Sequence, residues 1–164
     1  MPDADTLNPQ ISVNTLCGRF ILDFVINGSN GSRTAIECDG KDFHNFSRDE
    51  WRDAMILGEQ HVDVIYRLRG ADLVHNITDV LYIMSIEDPY LFSERGLKNL
   101  FTLAPGNLKN TKIKQDDSLT DFHPPGAQEP TKPQIYVRRA HVSDKKRHFG
   151  QAAYNMHDQS AVAR

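Results

Sequence analysis

The chain has only two cysteines and one tryptophan among its 164 residues, and no long apolar run. Two cysteines, Cys17 and Cys38, are too few for a disulfide framework and too far apart for a zinc knuckle, so both are expected to be thiols serving as small core residues. No window approaches the roughly 18 uninterrupted apolar residues of a membrane-spanning helix. The start, Met1-Pro2-Asp3-Ala4-Asp5, is acidic where a secretory signal is basic and then greasy. A cytoplasmic protein with no membrane segment is the expectation. Internal repeats are absent as well, which removes solenoid and propeller architectures.

The apolar share of 39% is enough for one modest core, and the length suits one domain. The net charge of −3 hides a division of the chain. Residues 1–104 carry 16 acids and 9 bases, whereas residues 105–164 carry 6 acids and 10 bases. An acidic globule followed by a basic extension suits a protein that meets a polyanion, although solvation alone also explains it.

Residues 19–27 are β-branched and aromatic apart from Asp23, and predict a strand. Gly28-Ser29-Asn30-Gly31-Ser32 predicts a five-residue hairpin loop, and Arg33 to Asp39 a second strand. Ser47 stands three residues before Glu50 in a capping-box pattern, with Trp51, Ala54, Met55 and Leu57 at helical spacing and Gly58 as the stop. Val62 to Leu68 reads as a third strand. Leu73, Ile77, Val80, Leu81 and Met84 predict an amphipathic helix from Asp72 to about Asp88, ended by Pro89. Leu97, Leu100 and Phe101 predict a shorter helix. From Pro105 onward lie five of the eight prolines and few apolar residues, so residues 105–164 are expected to be a mostly disordered basic tail, with a strand-like exception at Ile135-Tyr136-Val137. Its basic clusters, Arg138-Arg139 and Lys145-Lys146-Arg147-His148, suit either solvent or nucleic acid.

The acids of the hairpin carry the chemical interest. With a loop over 28–32, Asn27 faces Arg33, Val25 faces Ala35, Asp23 faces Glu37 and Ile21 faces Asp39. Side chains two apart share a face, so Asp23, Glu37 and Asp39 project from one side of the sheet. Phe20, Leu22, Phe24, Ile26, Ile36 and Cys38 take the other side, the expected core. Carboxylates opposed across strands repel, since their Cβ atoms are only about 5 Å apart. A hard cation such as Mg²⁺ relieves that repulsion with oxygen ligands. So does an arginine from the helix, or Arg33 or Lys41. His44, five residues after Asp39, can exchange a proton with an attacking water or a leaving oxygen, or be a plain loop histidine. Asp49, Arg52 and Asp53 are spaced to pair among themselves on an exposed helix stripe. Arg67 and Arg69, ending the third strand, suit phosphate contacts or a solvated strand end.

Taken together, Leu22-Asp23-Phe24, Ile36-Glu37-Cys38-Asp39-Gly40-Lys41-Asp42-Phe43-His44 and Arg48-Asp49-Glu50-Trp51-Arg52-Asp53 resemble the PD-(D/E)XK superfamily of restriction-endonuclease-like nucleases. The likeness is to a group related to the very-short-patch mismatch repair endonucleases. Its pattern is an Asp in a first strand, E-x-D-G-x-x-x-H closing the second, and D-x-x-R on the next helix; a third strand ending in Arg, here Ile65-Tyr66-Arg67, also fits. The lysine that many members place two residues after the acid is Asp39 here, with Lys41 two positions on, which leaves the water-activating group open.

The resemblance covers about residues 10–104. It implies an α/β fold with a small mixed β-sheet, an N-terminal hairpin and flanking helices. It implies that Asp23, Glu37 and Asp39 hold Mg²⁺ or Mn²⁺, that His44 assists the water or the leaving group, and that the substrate is DNA. Lys41, Arg52, Arg67 and Arg69 are then the candidates for DNA phosphates. The expected activity is phosphodiester hydrolysis in repair, restriction or mobile-element defence, by one copy or by a homodimer or partner complex. Two rival expectations remain: a catalytically inactive nuclease-like module that binds DNA or a protein, and an unrelated small α/β fold whose acidic patch is bridged by arginines.

Overall fold

A computed structural model describes residues 7–40, 46–110, 120–122 and 135–141. The fold is mixed α/β, built on a six-stranded sheet in the order β1-β2-β3-β4-β6-β5. Strands β1 (Leu7–Thr15) and β2 (Gly18–Asn27) form an antiparallel hairpin, and β3 (Arg33–Asp39) adds antiparallel to β2. Helix α1 (Phe46–Gly58) carries the chain across to β4 (Val64–Arg69), which runs parallel to β3 as such a crossover allows. Helices α2 (Gly70–His75), α3 (Ile77–Glu87), α4 (Glu94–Leu103) and α5 (Gly106–Asn110) follow. Strands β5 (Thr120–Phe122) and β6 (Ile135–His141) complete the sheet, with β6 antiparallel to β4. No helix among the described residues is long and apolar enough to cross a membrane.

The expected hairpin register is observed, with Asn27 paired to Arg33 and Val25 to Ala35. Its loop packs tightly: Ser29 N–H donates to the Tyr90 carbonyl at 3.0 Å, and a Cβ on Gly28 would lie 2.6 Å from the Tyr90 ring. Only glycine fits there. Strand β1 is not anticipated by hydropathy because its run, Leu-Asn-Pro-Gln-Ile-Ser-Val-Asn-Thr, is largely polar and contains a proline. An edge strand tolerates both, since one of its faces and one of its hydrogen-bonding sides meet solvent. Gly18, at φ 117°, closes the turn between β1 and β2.

The expected division of faces needs correction. Both sides of the sheet are buried, one under α1 and the other under α3 and α4. On the α1 side, Val13, Leu22, Val25, Ala35 and Ile65 pack with Ile56, Leu57 and Val62, and Phe20 joins them. On the opposite side, Ile26, Val64, Tyr66, Leu68, Ile135 and Val137 pack with Val80, Ile83, Met84 and Leu100. Leu22 and Val25 share a face although strict alternation would separate them. The slip is centred on Asp23: Gln10, which stands across from it between the Pro9–Phe24 and Ile11–Leu22 pairs, has φ 51°. A local kink there exchanges inside for outside and frees Asp23 from the alternation of its neighbours.

Two further differences concern helices and boundaries. The helix expected over 72–88 is two helices, α2 and α3, broken at Asn76, whose backbone N–H bonds the Asp72 carbonyl at 2.8 Å. The side chain of Asp72 is engaged too, accepting two bonds from Arg69 and one from Asn76. The boundary expected at residue 104 also moves, because β6 lies inside the sheet with Ile135 and Val137 buried in its core. Both cysteines are free thiols as expected, but neither is a core residue: Cys17 is half-buried and Cys38 exposed.

Candidate functional site

The carboxylates gather where β2 and β3 part company. The paired ladder between these strands ends at Phe24 and Ile36, one residue short of Asp23 and Glu37. In place of a backbone partner, the Cys38 N–H donates to Asp23 Oδ2 at 2.8 Å. Asp23 is thereby fixed to the backbone between Glu37 and Asp39. The kink described above is what allows a side chain to take this main-chain position.

Glu37 and Asp39 face α1, and the sheet beneath that helix carries a row of charge. Glu37 pairs in register with Arg67, and Arg67 with Arg138. The polar residues of α1 answer this row. Arg52 Nη2 donates to Glu37 Oε1 at 2.9 Å and to the Ile21 carbonyl at 2.8 Å. Its guanidinium stands 5.5 Å from the centroid of Phe20. Asp53 takes two bonds from Arg67, at 2.8 Å each, and Asp49 lies 3.9 Å from the same guanidinium. Glu50 meets Arg138 at 3.3 Å. Asp49, Arg52 and Asp53 therefore reach the sheet instead of lying on an exposed stripe. They bind α1 to the sheet, and Asp53 is buried.

Electrostatics distinguish the members of this cluster. Glu37 is only 5% exposed, and its carboxyl is pushed up to about 7. Burial is the main cause; the nearby charges of Asp23 and Asp53 add to it, while Arg52 and Arg67 oppose it. Arg67 is also buried, yet its hydrogen bonds to Asp53 and the charges of Asp53, Asp39 and Asp49 outweigh that burial and hold it firmly protonated. The Cys38 thiol, although on an exposed residue, is raised first by its partial enclosure and then by Asp23, Glu37 and Asp39.

These positions revise several expectations. Asp23, Glu37 and Asp39 are brought to one end of the β2–β3 pair, but each holds a different partner: Cys38 N–H, Arg52 and Arg67, the last reaching Asp39 at 3.0 Å. Among the described residues no group of three His, Cys, Asp or Glu side chains is arranged to hold a metal ion. Glu37 does not line an open acidic concavity, because α1 covers it. Arg67 does not face a phosphate, because three carboxylates surround it. Arg69 pairs with Asp72 through two 2.9 Å bonds. His44 and Lys41 lie outside the described residues. Asp53 and Arg138 belong to the cluster although sequence reasoning did not single them out for it; Asp53 had a signal, the helical spacing that puts it beside Asp49.

The donor chemistry bears on a cation. Asp23 and Glu37 are hard oxygen donors at the same strand end, and burial is the main reason the Glu37 carboxyl is raised. The donor type is that of Mg²⁺ or Mn²⁺ sites, but among the described residues the arrangement is not, because each acid is engaged by a different partner.

The chain thus has a mixed-sheet architecture flanked by helices, with a charged cluster at the β2–β3–α1 junction. No protein-family model matches the sequence, and neither a curated protein nor a solved structure matches it.

Proposed function

We propose that the protein is a metal-dependent DNA endonuclease that hydrolyses phosphodiester bonds. The observation that carries this reading is the convergence of Asp23, from the first strand of the expected pattern, with Glu37 and Asp39, from the second. They lie at the end of the β2–β3 ladder, where Arg52 and Arg67 engage Glu37 and Asp39. Asp23, Glu37 and Asp39 are the residues that would hold Mg²⁺ or Mn²⁺, which supplies positive charge to polarise the scissile phosphate. His44 is the candidate for carrying the proton to or from the reacting oxygen. Arg52, Arg69 and Lys41 are the candidates for binding phosphate oxygens. Arg67 acts differently: held by Asp53, it anchors Asp39 on the β3 side. A cytoplasmic location, repair, restriction or defence as the setting, and action as a homodimer or with a partner protein belong to the same proposal. The superfamily resemblance supports it through residue pattern alone.

The test is nicking of supercoiled plasmid with Mg²⁺ and with EDTA, using the full chain beside Asp23→Ala and Glu37→Ala. Metal-dependent nicking that both substitutions reduce by about 100-fold or more is expected. Equal activity in all three proteins would assign any nicking to contamination and end the proposal.

A second reading has one observation in its favour. Arg52 lies against Glu37 and Arg67 against Asp39, as expected of an unrelated small α/β fold whose acidic patch is bridged by arginines; a module that binds DNA or a protein without cutting is the other alternative. DNA binding unaffected by EDTA, with no cleavage on any substrate, would select it.

A further inference from the structure

Charge changes sign abruptly along the chain at the start of α4. Residues 1–94 carry 16 acids and 7 bases, whereas residues 95–110 carry three bases, Arg95, Lys98 and Lys109, and no acid. Helix α4 covers the sheet face opposite α1, with Leu100 in the core it shares with Val80 and Met84. Arg95, Lys98 and Phe101 are exposed on its outer side. We propose that this outer side of α4, together with Lys109 of α5, binds single-stranded DNA as a track separate from the acid cluster beneath α1.

Two independent observations lead there. The first is which cations are available to a polyanion. Arg52, Arg67, Arg69, Arg138 and Arg139 each hold a carboxylate within 3.3 Å, so a phosphate could take them only by stranding an acid. Among the described residues Arg95 and Lys98 hold none, and both are exposed. Three residues apart, they lie on one side of the helix and can meet one phosphate backbone.

The second observation is the ring of Phe101, which is 60% exposed. Lys109 Nζ stands 4.7 Å from its centroid, over one face. That cation–π contact fixes the ring while its other face stays in water. A base of any identity can stack on such a face. At 1.5 Å per residue Phe101 lies about 9 Å along α4 from Arg95, so ring and cations can serve neighbouring nucleotides. The ring favours a single strand, because the bases of a duplex are already stacked on each other. The choice of DNA over RNA follows from the nuclease reading above, and in that one respect the proposal rests on it.

Fluorescence anisotropy of a labelled oligothymidylate of about 12 nucleotides measures the binding, with the full chain and in EDTA so that no metal-dependent cleavage intervenes. Phe101→Ala should weaken binding about tenfold, the size of one stacked base, and leave its salt dependence unchanged. Phe101→Trp, which keeps a stacking ring, should bind at least as tightly as the native chain. Arg95→Gln combined with Lys98→Gln should weaken binding and flatten the slope of log affinity against log salt by about 1.4, since each phosphate contact on a single strand contributes about 0.7. All three side chains are exposed, so the variants keep the fold.

A native chain that does not bind, a double variant with the native salt slope, or Phe101→Ala with native affinity overturns the proposal. So does a duplex of the same length bound as tightly as the single strand, which would remove the ring from the interface. Tighter binding of oligouridylate overturns the choice of DNA. None of these readouts involves cutting, so the two readings fail separately: a protein that never nicks plasmid can still bind along α4, and one that nicks can lack this track.

Discussion

Two buried carboxylates on opposite faces of the same sheet reach opposite electrostatic outcomes. Asp88, on the α3 side, is 2% exposed; Glu37, on the α1 side, is 5% exposed. Burial pushes both upward. Asp88, however, accepts four hydrogen bonds: from the Tyr66 hydroxyl at 2.5 Å, the Tyr90 hydroxyl at 2.9 Å, and Arg139 Nε and Nη2 at 2.8 and 2.6 Å. Those donors more than offset its burial and hold it below the usual carboxylate range. Glu37 accepts one bond, from Arg52, and faces the charges of Asp23 and Asp53. Equal burial thus says little about a buried acid; the number of donors aimed at it decides whether it is a fastener or a group held under tension.

The contrast can be broken in order of size. Asp88→Ala should have the largest effect, a loss of about 4 kcal/mol, because it takes the shared partner from the buried Tyr66 hydroxyl and from the half-buried Arg139 and Tyr90. Urea unfolding of the variant at pH 7 measures it. Arg67→Met comes next, at about 3 kcal/mol, since it leaves Asp53 buried without its guanidinium.

Glu37→Gln should act with the opposite sign. A carboxyl raised from 4.5 to about 7 on folding binds more protons folded than unfolded, so its contribution is full below about 4.5 and is lost as pH rises through 7. The glutamine variant should therefore be more stable than the native protein by about 2 kcal/mol at pH 8, with the gain fading by pH 5. Asp88, lowered on folding, contributes stability that is present at both pH values and is lost only as pH falls through its folded value. A Glu37→Gln effect that does not change between pH 8 and pH 5 would remove the distinction between the two acids. The smallest effect belongs to Glu50→Gln. Glu50 is 51% exposed in its pair with Arg138, so about 0.5 kcal/mol or less is expected.

Much of this architecture is legible in the sequence where the signal is local. The loop at 28–32 sets the β2–β3 register because its glycines and asparagine specify a turn of fixed length. The crossover helix is legible because Gly58 and the spacing of Met55 and Leu57 mark it. What escapes is what other parts of the chain decide. Strand β1 is polar and becomes a strand only by pairing with β2. Strand β6 is sequestered in a proline-rich, basic stretch and becomes internal only because β4 has an open edge. The site is legible to the same extent. Asp23 and Glu37 do meet, but the alternation that assigns faces fails at Asp23 itself, because the kink opposite Gln10 is a property of two strands together. That an arginine of the helix offsets the acids is one of the options the residues leave open. Which arginine takes which acid follows from the register of β4 and from the turn of α1, neither of which is local.

The position of β6 has a consequence for synthesis. Until Ile135–His141 leaves the ribosome, the nascent chain presents β4 as an unpaired edge rich in apolar residues, with nothing on its far side. More than sixty residues separate the completion of β4 from the arrival of the strand that shields it. A premature stop anywhere in that interval yields a polypeptide whose exposed rim is a template for sticking to its own kind. Trimming the basic extension without that fate requires a cut beyond His141.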